Sequence, residues 1–206
     1  PDGLRVLDVD QDGLQDVLIF ISYELPMLVR QVEKGKFEVV ESPAAQASLI
    51  KDATLRSIEV ADVDGRAGEE LLIAQKNFAR SLVFAEGKNW RVVDQYNAKG
   101  PESQISAVAA FDIASEAEQG RPAILLLDGQ KGWLQILRAG EDKTYRFDKE
   151  LEVGKWNSAA HLKMLSAPLT GGESKSILFF DSEKFALLTP PSRQTPAAQN
   201  LEKQFS

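Results

Sequence analysis

Short apolar runs of four to six residues recur along the whole chain, and polar or glycine-containing turns separate them. In the first repeat of this pattern the runs begin at Leu4, Val17, Met27 and Phe37. Runs of this length, rich in branched and aromatic residues and bounded by turns, predict β-strands. No segment keeps an apolar period of 3.6 residues over a helical length, so the predicted helix content is low. The pattern therefore predicts an all-β protein.

The group of four runs is itself repeated along the chain. Later groups begin near Ile58, Ser106 and Leu162, so that each group occupies about 50 residues. Four short strands in a unit of this length, joined by tight hairpins, are typical of a β-propeller blade. The sequence predicts a single β-propeller region of four four-stranded repeats, the last strand lying over 201–205. The approximate bounds of the repeats are 1–52, 53–102, 103–158 and 159–206.

Aromatic residues mark equivalent positions in the predicted blades. Phe37, Trp90 and Tyr145 each open the fourth strand of a repeat, and we interpret them as packing residues between blades. Trp133 and Trp156 are interpreted in the same way, with a carbohydrate site as the alternative.

A loop rich in carboxylates joins the first two strands of the first repeat. Its pattern is D-x-D-x-D-G-x-x-D, with Asp8, Asp10, Asp12 and Asp16 as the acids. Carboxylates this close repel one another unless a cation or hydrogen-bond donors offset their charge, and Ca²⁺ prefers clustered oxygen ligands. We favour a metal site, to which Leu14 would contribute its backbone carbonyl. The alternative is a polar hairpin whose acids accept hydrogen bonds from nearby backbone N–H groups.

The loop is not an EF-hand. An EF-hand loop lies between two helices and ends with an acid at its twelfth position, which here is Ile19. The flanking sequences are predicted strands.

A second copy of the loop follows at a spacing of 54 residues. Asp62, Asp64 and Glu70 match the first, second and last acids, whereas Arg66 replaces the third. The Arg66 guanidinium could pair with these carboxylates in place of a bound ion, and we favour that interpretation over a degenerate second metal site. The third copy keeps one acid, Asp112, and the fourth has Pro168 instead, so neither is predicted to bind metal.

The acidic loop between the first two strands of a repeated four-strand unit resembles the FG-GAP repeats of integrin α-subunit propellers and, more closely, bacterial VCBS-type repeats. The Phe-Gly and Gly-Ala-Pro elements of the integrin repeat do not occur at matching places, which argues against integrin-like ligand recognition. The resemblance implies a propeller with structural Ca²⁺ in the hairpin loop. Carried over by position, the ligands would be Asp8, Asp10, Asp12 and Asp16 by side chain and Leu14 by carbonyl.

Composition restricts the partners. The net charge of −7, with Lys and Arg dispersed, argues against nucleic acid, and the absence of cysteine excludes disulfides and thiolate metal sites. No apolar run is long enough to span a bilayer.

Because the chain begins at Pro1 and enters a strand at once, we interpret it as a segment of a larger propeller of six to eight blades rather than a closed four-blade domain. Such a segment would expose its end blades and self-associate.

No catalytic constellation can be assembled from the sequence. There is one histidine, His161, and no cysteine. We predict a non-catalytic module that binds a protein or a glycan or acts as a scaffold. The alternative is a propeller enzyme, or an accessory domain of a carbohydrate-active or redox enzyme, with polar side chains converging in a central channel. An extracytoplasmic location is favoured, because weak calcium sites fill at the millimolar concentrations found outside cells.

Overall fold

The computed structural model describes residues 2–21, 23–41, 48–85, 89–112, 121–153, 162–169 and 175–189. Within these ranges the chain is almost entirely β-structure, and helical conformation is confined to residues 48–50. The strands are β1 (Gly3–Leu7), β2 (Asp16–Phe20), β3 (Met27–Glu33), β4 (Lys36–Val40), β5 (Ile58–Ala61), β6 (Glu70–Gln75), β7 (Phe78–Ala85), β8 (Asn89–Asn97), β9 (Ile105–Phe111), β10 (Ala123–Asp128), β11 (Trp133–Ala139), β12 (Tyr145–Glu152), β13 (Lys163–Ala167), β14 (Ser176–Phe180) and β15 (Phe185–Leu188).

The described strands form four antiparallel sheets in chain order, and we call them blades 1 to 4. Blades 1, 2 and 3 contain β1–β4, β5–β8 and β9–β12, and blade 4 contains β13–β15. Each strand pairs with its sequence neighbour, and the first strands approach one another, β5 with β9 and β9 with β13. This is the arrangement of a β-propeller, so the predicted fold class is confirmed. The predicted strand over 201–205, His161 and Trp156 lie outside the described residues.

Burial explains why the central strands are so apolar. In blade 3 every residue of β10 is buried, because one face of the blade packs on blade 2 and the other on blade 4. Blade 1 alternates instead: Leu18 and Phe20 on β2 are buried, whereas Val17 and Ile19, which alternate with them, are only partly covered. A strand buried on both faces needs a continuous apolar run, and one covered on a single face needs only alternation.

Three hydrophobic clusters join successive blades in the described residues. Leu18 and Phe20 of blade 1 pack with Ile73 of blade 2, and similar clusters join blades 2 and 3 and blades 3 and 4. Full burial of one such aliphatic or aromatic side chain contributes about 1.5–3 kcal/mol. In the described ranges, no such cluster joins blade 1 to blade 4.

Two of the three aromatic residues that open fourth strands pack between blades as predicted. Trp90 lies in the cluster between blades 1 and 2, edge-to-face with Phe84 at 5.3 Å between ring centroids. Tyr145 lies between blades 2 and 3, edge-to-face with Tyr96 at 5.0 Å. Phe37 differs, because its side chain is 47% exposed and belongs to no described cluster between blades.

A search of the described residues for a helix both long and apolar enough to cross a membrane finds none.

Candidate metal centre

The acidic loop of blade 1 connects β1 to β2 and brings three of its four carboxylates together. Oxygens of Asp8, Asp10 and Asp16 all lie within 4.8 Å of one another. The loop turns through two left-handed residues, Gln11 at φ +60° and Gly13 at φ +86°, and only glycine adopts that conformation without a steric cost from Cβ. The predicted cluster is therefore present, without Asp12.

Asp16 is a buried structural acceptor. Its Oδ2 accepts a hydrogen bond from the backbone N–H of Val9 at 2.9 Å, and its Oδ1 accepts one from Gln31 N–H at 2.8 Å. Burial raises the pKa of Asp16, and these two backbone donors lower it again in part. The side chain thus ties the loop to β3 as well as contributing charge to the cluster.

Asp8 fixes the turn of the loop. Its two carboxylate oxygens accept hydrogen bonds from the backbone N–H groups of Asp12 at 3.0 Å and Gly13 at 2.8 Å. Asp12 Oδ1 in turn accepts from Leu14 N–H at 2.9 Å. These are the backbone donors that the polar-hairpin alternative requires, so hydrogen bonding offsets part of the acidic charge.

Asp10 has a carboxylate oxygen that no donor satisfies. Its side chain is only 10% exposed, and Oδ1 is buried with no hydrogen-bond partner among the described residues. The other oxygen contacts Nε of Arg30. Burial raises the pKa of Asp10, an effect opposed by Arg30 and reinforced by Asp12 and Asp8. A buried unsatisfied acceptor costs about 1–3 kcal/mol, and more when it is charged.

An internal cation reaches this loop from β3, and sequence reasoning missed it. Arg30 contacts Asp10 through Nε and donates from Nη2 to Asp12 Oδ2 at 3.0 Å. This contact accounts for the absence of Asp12 from the cluster of three. One guanidinium does not neutralise four carboxylates, so the loop keeps an excess of negative charge. Arg30 is brought near the loop by the strand register, because it follows Val29, which pairs with Val17 just after the loop, and the sequence alone gives no signal for this contact.

The loop of blade 2 repeats the geometry. Oxygens of Asp62, Asp64 and Glu70 lie within 4.8 Å of one another, and the buried Glu70 accepts from Val63 N–H at 2.9 Å, as Asp16 does from Val9. Burial raises the pKa of Glu70. Arg66 Nε lies 3.5 Å from Asp64 Oδ2, but its side chain is 77% exposed. The predicted ion pair is therefore present at the rim of the loop and involves one of the three acids.

Both acidic loops also contact the following blade. The carbonyl of Val9 accepts a hydrogen bond from Phe84 N–H of blade 2 at 3.0 Å. The equivalent carbonyl of Val63 accepts one from the Tyr145 hydroxyl of blade 3 at 3.3 Å. Each loop thus bridges two blades through the valine that separates its first two acids.

A further contact joins the two loops directly. Gln11 Nε2 donates to Glu69 O at 3.3 Å. Gly68, at φ +110°, lies so close to Gln11 that a Cβ added there would meet the Gln11 side chain at 2.4 Å. Asp112 and Pro168 belong to no acidic cluster in the described part of the chain.

A buried ion-pair cluster lies where the first strands approach one another. Glu59 on β5 is 4% exposed, with Lys175 Nζ of blade 4 at 3.4 Å and Arg5 Nη2 of blade 1 at 3.9 Å. Lys175 also donates to Val60 O at 3.1 Å. Burial raises the pKa of Glu59, and Lys175 and Arg5 oppose this. Glu59 was not predicted from the sequence as a functional residue, because its strand is otherwise apolar. The signal that could have identified it is a single acid within an apolar strand.

An open cavity of about 860 Å³ lies at the opposite end of blade 1 from the acidic loop. It combines apolar and charged side chains, and Tyr23 projects fully into solvent at its edge. The lining residues are Asp2, Phe20, Ile21, Tyr23, Glu24, Leu25, Lys51, Asp52, Ala53, Thr54, Leu55 and Arg56.

Comparison with known proteins assigns neither a family nor a function to the chain. No protein-family model matches the chain, and no curated protein matches it in sequence. Among solved structures, the Tc holotoxin pore of Photorhabdus luminescens is similar over 91% of this chain and 9% of its own, with 13% identity and a TM-score of 0.41. The chain thus spans less than a tenth of that protein's length, and a similarity this weak carries no functional argument.

Proposed function

We propose that this chain is a non-catalytic, calcium-stabilised β-propeller module that binds a protein or glycan or serves as a scaffold. The observation that carries the calcium proposal is the buried, unpartnered Oδ1 of Asp10 within a cluster of three carboxylates. An anionic oxygen without a donor is a stable arrangement when a cation is its partner.

The residues present fit a hard divalent cation. Asp8, Asp10 and Asp16 would hold the ion through their side chains. The motif also suggests the carbonyl of Leu14 and the side chain of Asp12 as ligands, although Asp12 pairs with Arg30 in this structure. The ion would supply the positive charge that Arg30 alone does not. An all-oxygen donor set favours Ca²⁺ over softer transition metals.

The family and the location belong to the same proposal. The D-x-D-x-D-G-x-x-D loop between first and second strands supports a relationship to FG-GAP and VCBS-type repeats. A site with a single complete loop would fill at millimolar calcium, which supports an extracytoplasmic location.

Thermal unfolding tests the calcium proposal. Adding Ca²⁺ after chelator treatment should raise the melting temperature, because a ligand at 100 times its Kd stabilises the folded state by about 2.7 kcal/mol. Asp10→Asn should abolish most of this shift. The matched control Asp52→Asn removes one exposed acid far from both loops and should retain it. Equal melting of the native chain with calcium and with chelator would contradict the proposal.

Ligand recognition is proposed for the cavity at the other end of blade 1. Its mixture of an exposed tyrosine, apolar surface and charges of both signs suits a polar ligand with an apolar face. The enzyme alternative predicts polar side chains that converge near the first strands, and Glu59, Arg5 and Lys175 meet there. We favour a structural ion pair for this cluster because Glu59 is buried.

A screen of glycan arrays and protein libraries, followed by titration of any hit, tests this site. Tyr23→Ala should weaken binding of a hit at least about tenfold, the effect expected for an exposed aromatic at a binding surface. Phe147→Ala, which truncates an exposed aromatic of blade 3, should leave binding unchanged. Equal loss in both variants would place the binding site elsewhere.

A further inference from the structure

Arg30 of β3 reaches into the acidic loop of blade 1 and holds two of its four acids. The guanidinium contacts Asp10 through Nε and donates from Nη2 to Asp12 Oδ2 at 3.0 Å. Its side chain is 28% exposed, so one side of it remains open to solvent. A guanidinium keeps its charge over the whole working pH range, and Arg30 is therefore a resident cation of the loop.

The other two acids do not depend on Arg30. Asp8 and Asp16 each accept two hydrogen bonds from backbone N–H groups, and these bonds keep both carboxylates in place. The four acids thus form two pairs, one held by the backbone and one held by Arg30. A change in the position of the arginine side chain would release Asp10 and Asp12 and leave Asp8 and Asp16 where they are.

Arg30 satisfies only part of the Asp10 carboxylate. One oxygen of Asp10 contacts the guanidinium, whereas Oδ1 is buried and has no hydrogen-bond partner among the described residues. The Asp10 side chain is nine-tenths buried and belongs to the cluster with Asp8 and Asp16. An anionic oxygen in this position favours a cation that can contact several carboxylates at once, which a divalent ion does and a single guanidinium does not.

The backbone that carries Arg30 is fixed independently of its side chain. The N–H of the next residue, Gln31, donates to Asp16 Oδ1 at 2.8 Å, and the preceding residue, Val29, pairs with Val17 of β2. The guanidinium can therefore leave the loop towards solvent without any movement of β3.

Blade 2 shows that the blade architecture does not require an arginine at this place. In both blades the position follows the partner of the second residue of the second strand, and in blade 2 it is occupied by Val83. Val83 is buried. The arginine near the acidic loop of blade 2 is Arg66, which is largely exposed and contacts only Asp64. Packing of the strands thus gives no reason for a cation at position 30, whereas the acidic loop does.

We propose, resting on the calcium site proposed above, that Arg30 and a divalent cation compete for the carboxylates of Asp10 and Asp12. Without the ion, Arg30 offsets part of the negative charge and holds the loop in its folded shape. When the ion binds, the guanidinium moves out to solvent. Arg30 therefore lowers the affinity of the loop for the ion by the fraction of molecules in which it occupies these carboxylates. Occupancy in nine molecules of ten corresponds to about a tenfold loss of affinity.

Calorimetric titration of the chelator-treated chain with CaCl₂ tests the competition. Arg30→Gln should bind Ca²⁺ about tenfold more tightly than the native chain. The matched control Arg80→Gln also removes one positive charge, but from the start of β7 at the other end of blade 2, and should keep the native Kd. Equal or weaker binding by Arg30→Gln overturns the competition and leaves the calcium proposal standing. Absence of binding by both the native chain and Arg30→Gln overturns both proposals.

Thermal unfolding in chelator tests the role of Arg30 in the ion-free loop. Arg30→Gln should melt at least about 3 °C below the native chain, because Asp10 and Asp12 then lose their internal cation. Saturating Ca²⁺ should remove most of this difference. A variant that melts in chelator at the native temperature or above it overturns the assignment of Arg30 as a resident cation.

Nuclear magnetic resonance of the native chain supplies a test that needs no stable Arg30→Gln variant. The Arg30 Nε–H signal is assigned by its absence from the spectrum of Arg30→Lys, which keeps the charge. Saturating Ca²⁺ should shift this signal and accelerate its exchange with solvent, while the Nε–H signal of Arg80, which donates to Gln95, stays unchanged. An Arg30 signal that does not respond in a chain that binds calcium by calorimetry overturns the competition.

Discussion

At the scale of single residues, Asp16 and Asp10 share one loop but differ in what surrounds their charge. Asp16 accepts two backbone hydrogen bonds and is satisfied by the fold itself, whereas one oxygen of Asp10 has no donor in the described residues. Asp16 is therefore expected to matter for folding with or without an ion. For Asp10, by contrast, the partners of its carboxylate depend on whether an ion is bound.

Glu59 gives a prediction for the pH dependence of stability. Burial raises its folded-state pKa above the ordinary glutamate value of 4.5. Above pH 4.5 and up to the folded pKa, the folded state therefore binds more protons than the unfolded state, and this group's contribution to stability falls as pH rises. Glu59→Gln removes that loss, so the free energy of unfolding of the variant minus that of the native chain should increase through this window and then level off.

Urea unfolding at a series of pH values from about 4 to 8 measures this difference. Glu141→Gln, a change at an exposed acid in the turn between β11 and β12, serves as the control for replacing a surface glutamate by glutamine. A difference for Glu59→Gln that does not change with pH, or that changes no more than the difference for the control, would show that burial does not govern the Glu59 carboxyl group.

The acidic loop also shows which part of a site is readable from sequence. Asp8, Asp10 and Asp16 lie within nine residues, so local spacing is enough to place them in one cluster. Arg30 and its effect on Asp12 depend on the register of β3, and the Glu59 cluster depends on how three blades are placed. Such contacts follow from tertiary packing, which no spacing rule encodes.

At the scale of strands, apolar runs predicted the existence of elements better than their ends. β5 begins at Ile58 and β9 at Ile105, each within one residue of the start expected for its group of strands. β8 extends over Asn89–Asn97; it begins within one residue of Trp90, which was expected to open the strand, but it is longer than the predicted runs of four to six residues. Its second half is polar, and it is a strand because it continues to pair with β7 past a bulge at Ser81 and Leu82. Pairing with a neighbour thus extends a strand where the side chains do not indicate one.

Trp90 and Phe37 occupy equivalent positions in β8 and β4 but should differ in what they contribute. Trp90→Ala should lower the free energy of unfolding by about 3–5 kcal/mol, since it empties a filled site between blades 1 and 2. Phe37→Ala removes an exposed ring and should cost less than about 1 kcal/mol. Urea unfolding of both variants measures the contrast. Equal costs would mean that Phe37 is already covered within a single chain.

At the scale of the whole molecule, each blade is stabilised mainly by its neighbours in the chain. Among the described residues, the hydrophobic clusters cover blades 2 and 3 on both faces and blades 1 and 4 on one face each. In such stacked repeats, stability is close to a sum of unit and nearest-neighbour terms, so a blade covered on one face is less stable than a blade covered on both. The sequence predicted four repeats of one architecture, but the exposure of the end faces is a property of the assembled blades and required the structure.

The hydrogen bond from Phe84 N–H to Val9 O carries this coupling into the acidic loop. Val9 lies between two of the clustered acids, while Phe84 belongs to β7 of the next blade. Any change that tightens the loop also holds that carbonyl more firmly against the neighbouring strand. The Phe84 amide should therefore exchange its hydrogen with solvent more slowly when the loop is rigid, and so act as a spectroscopic reporter, located in one blade, for events in another.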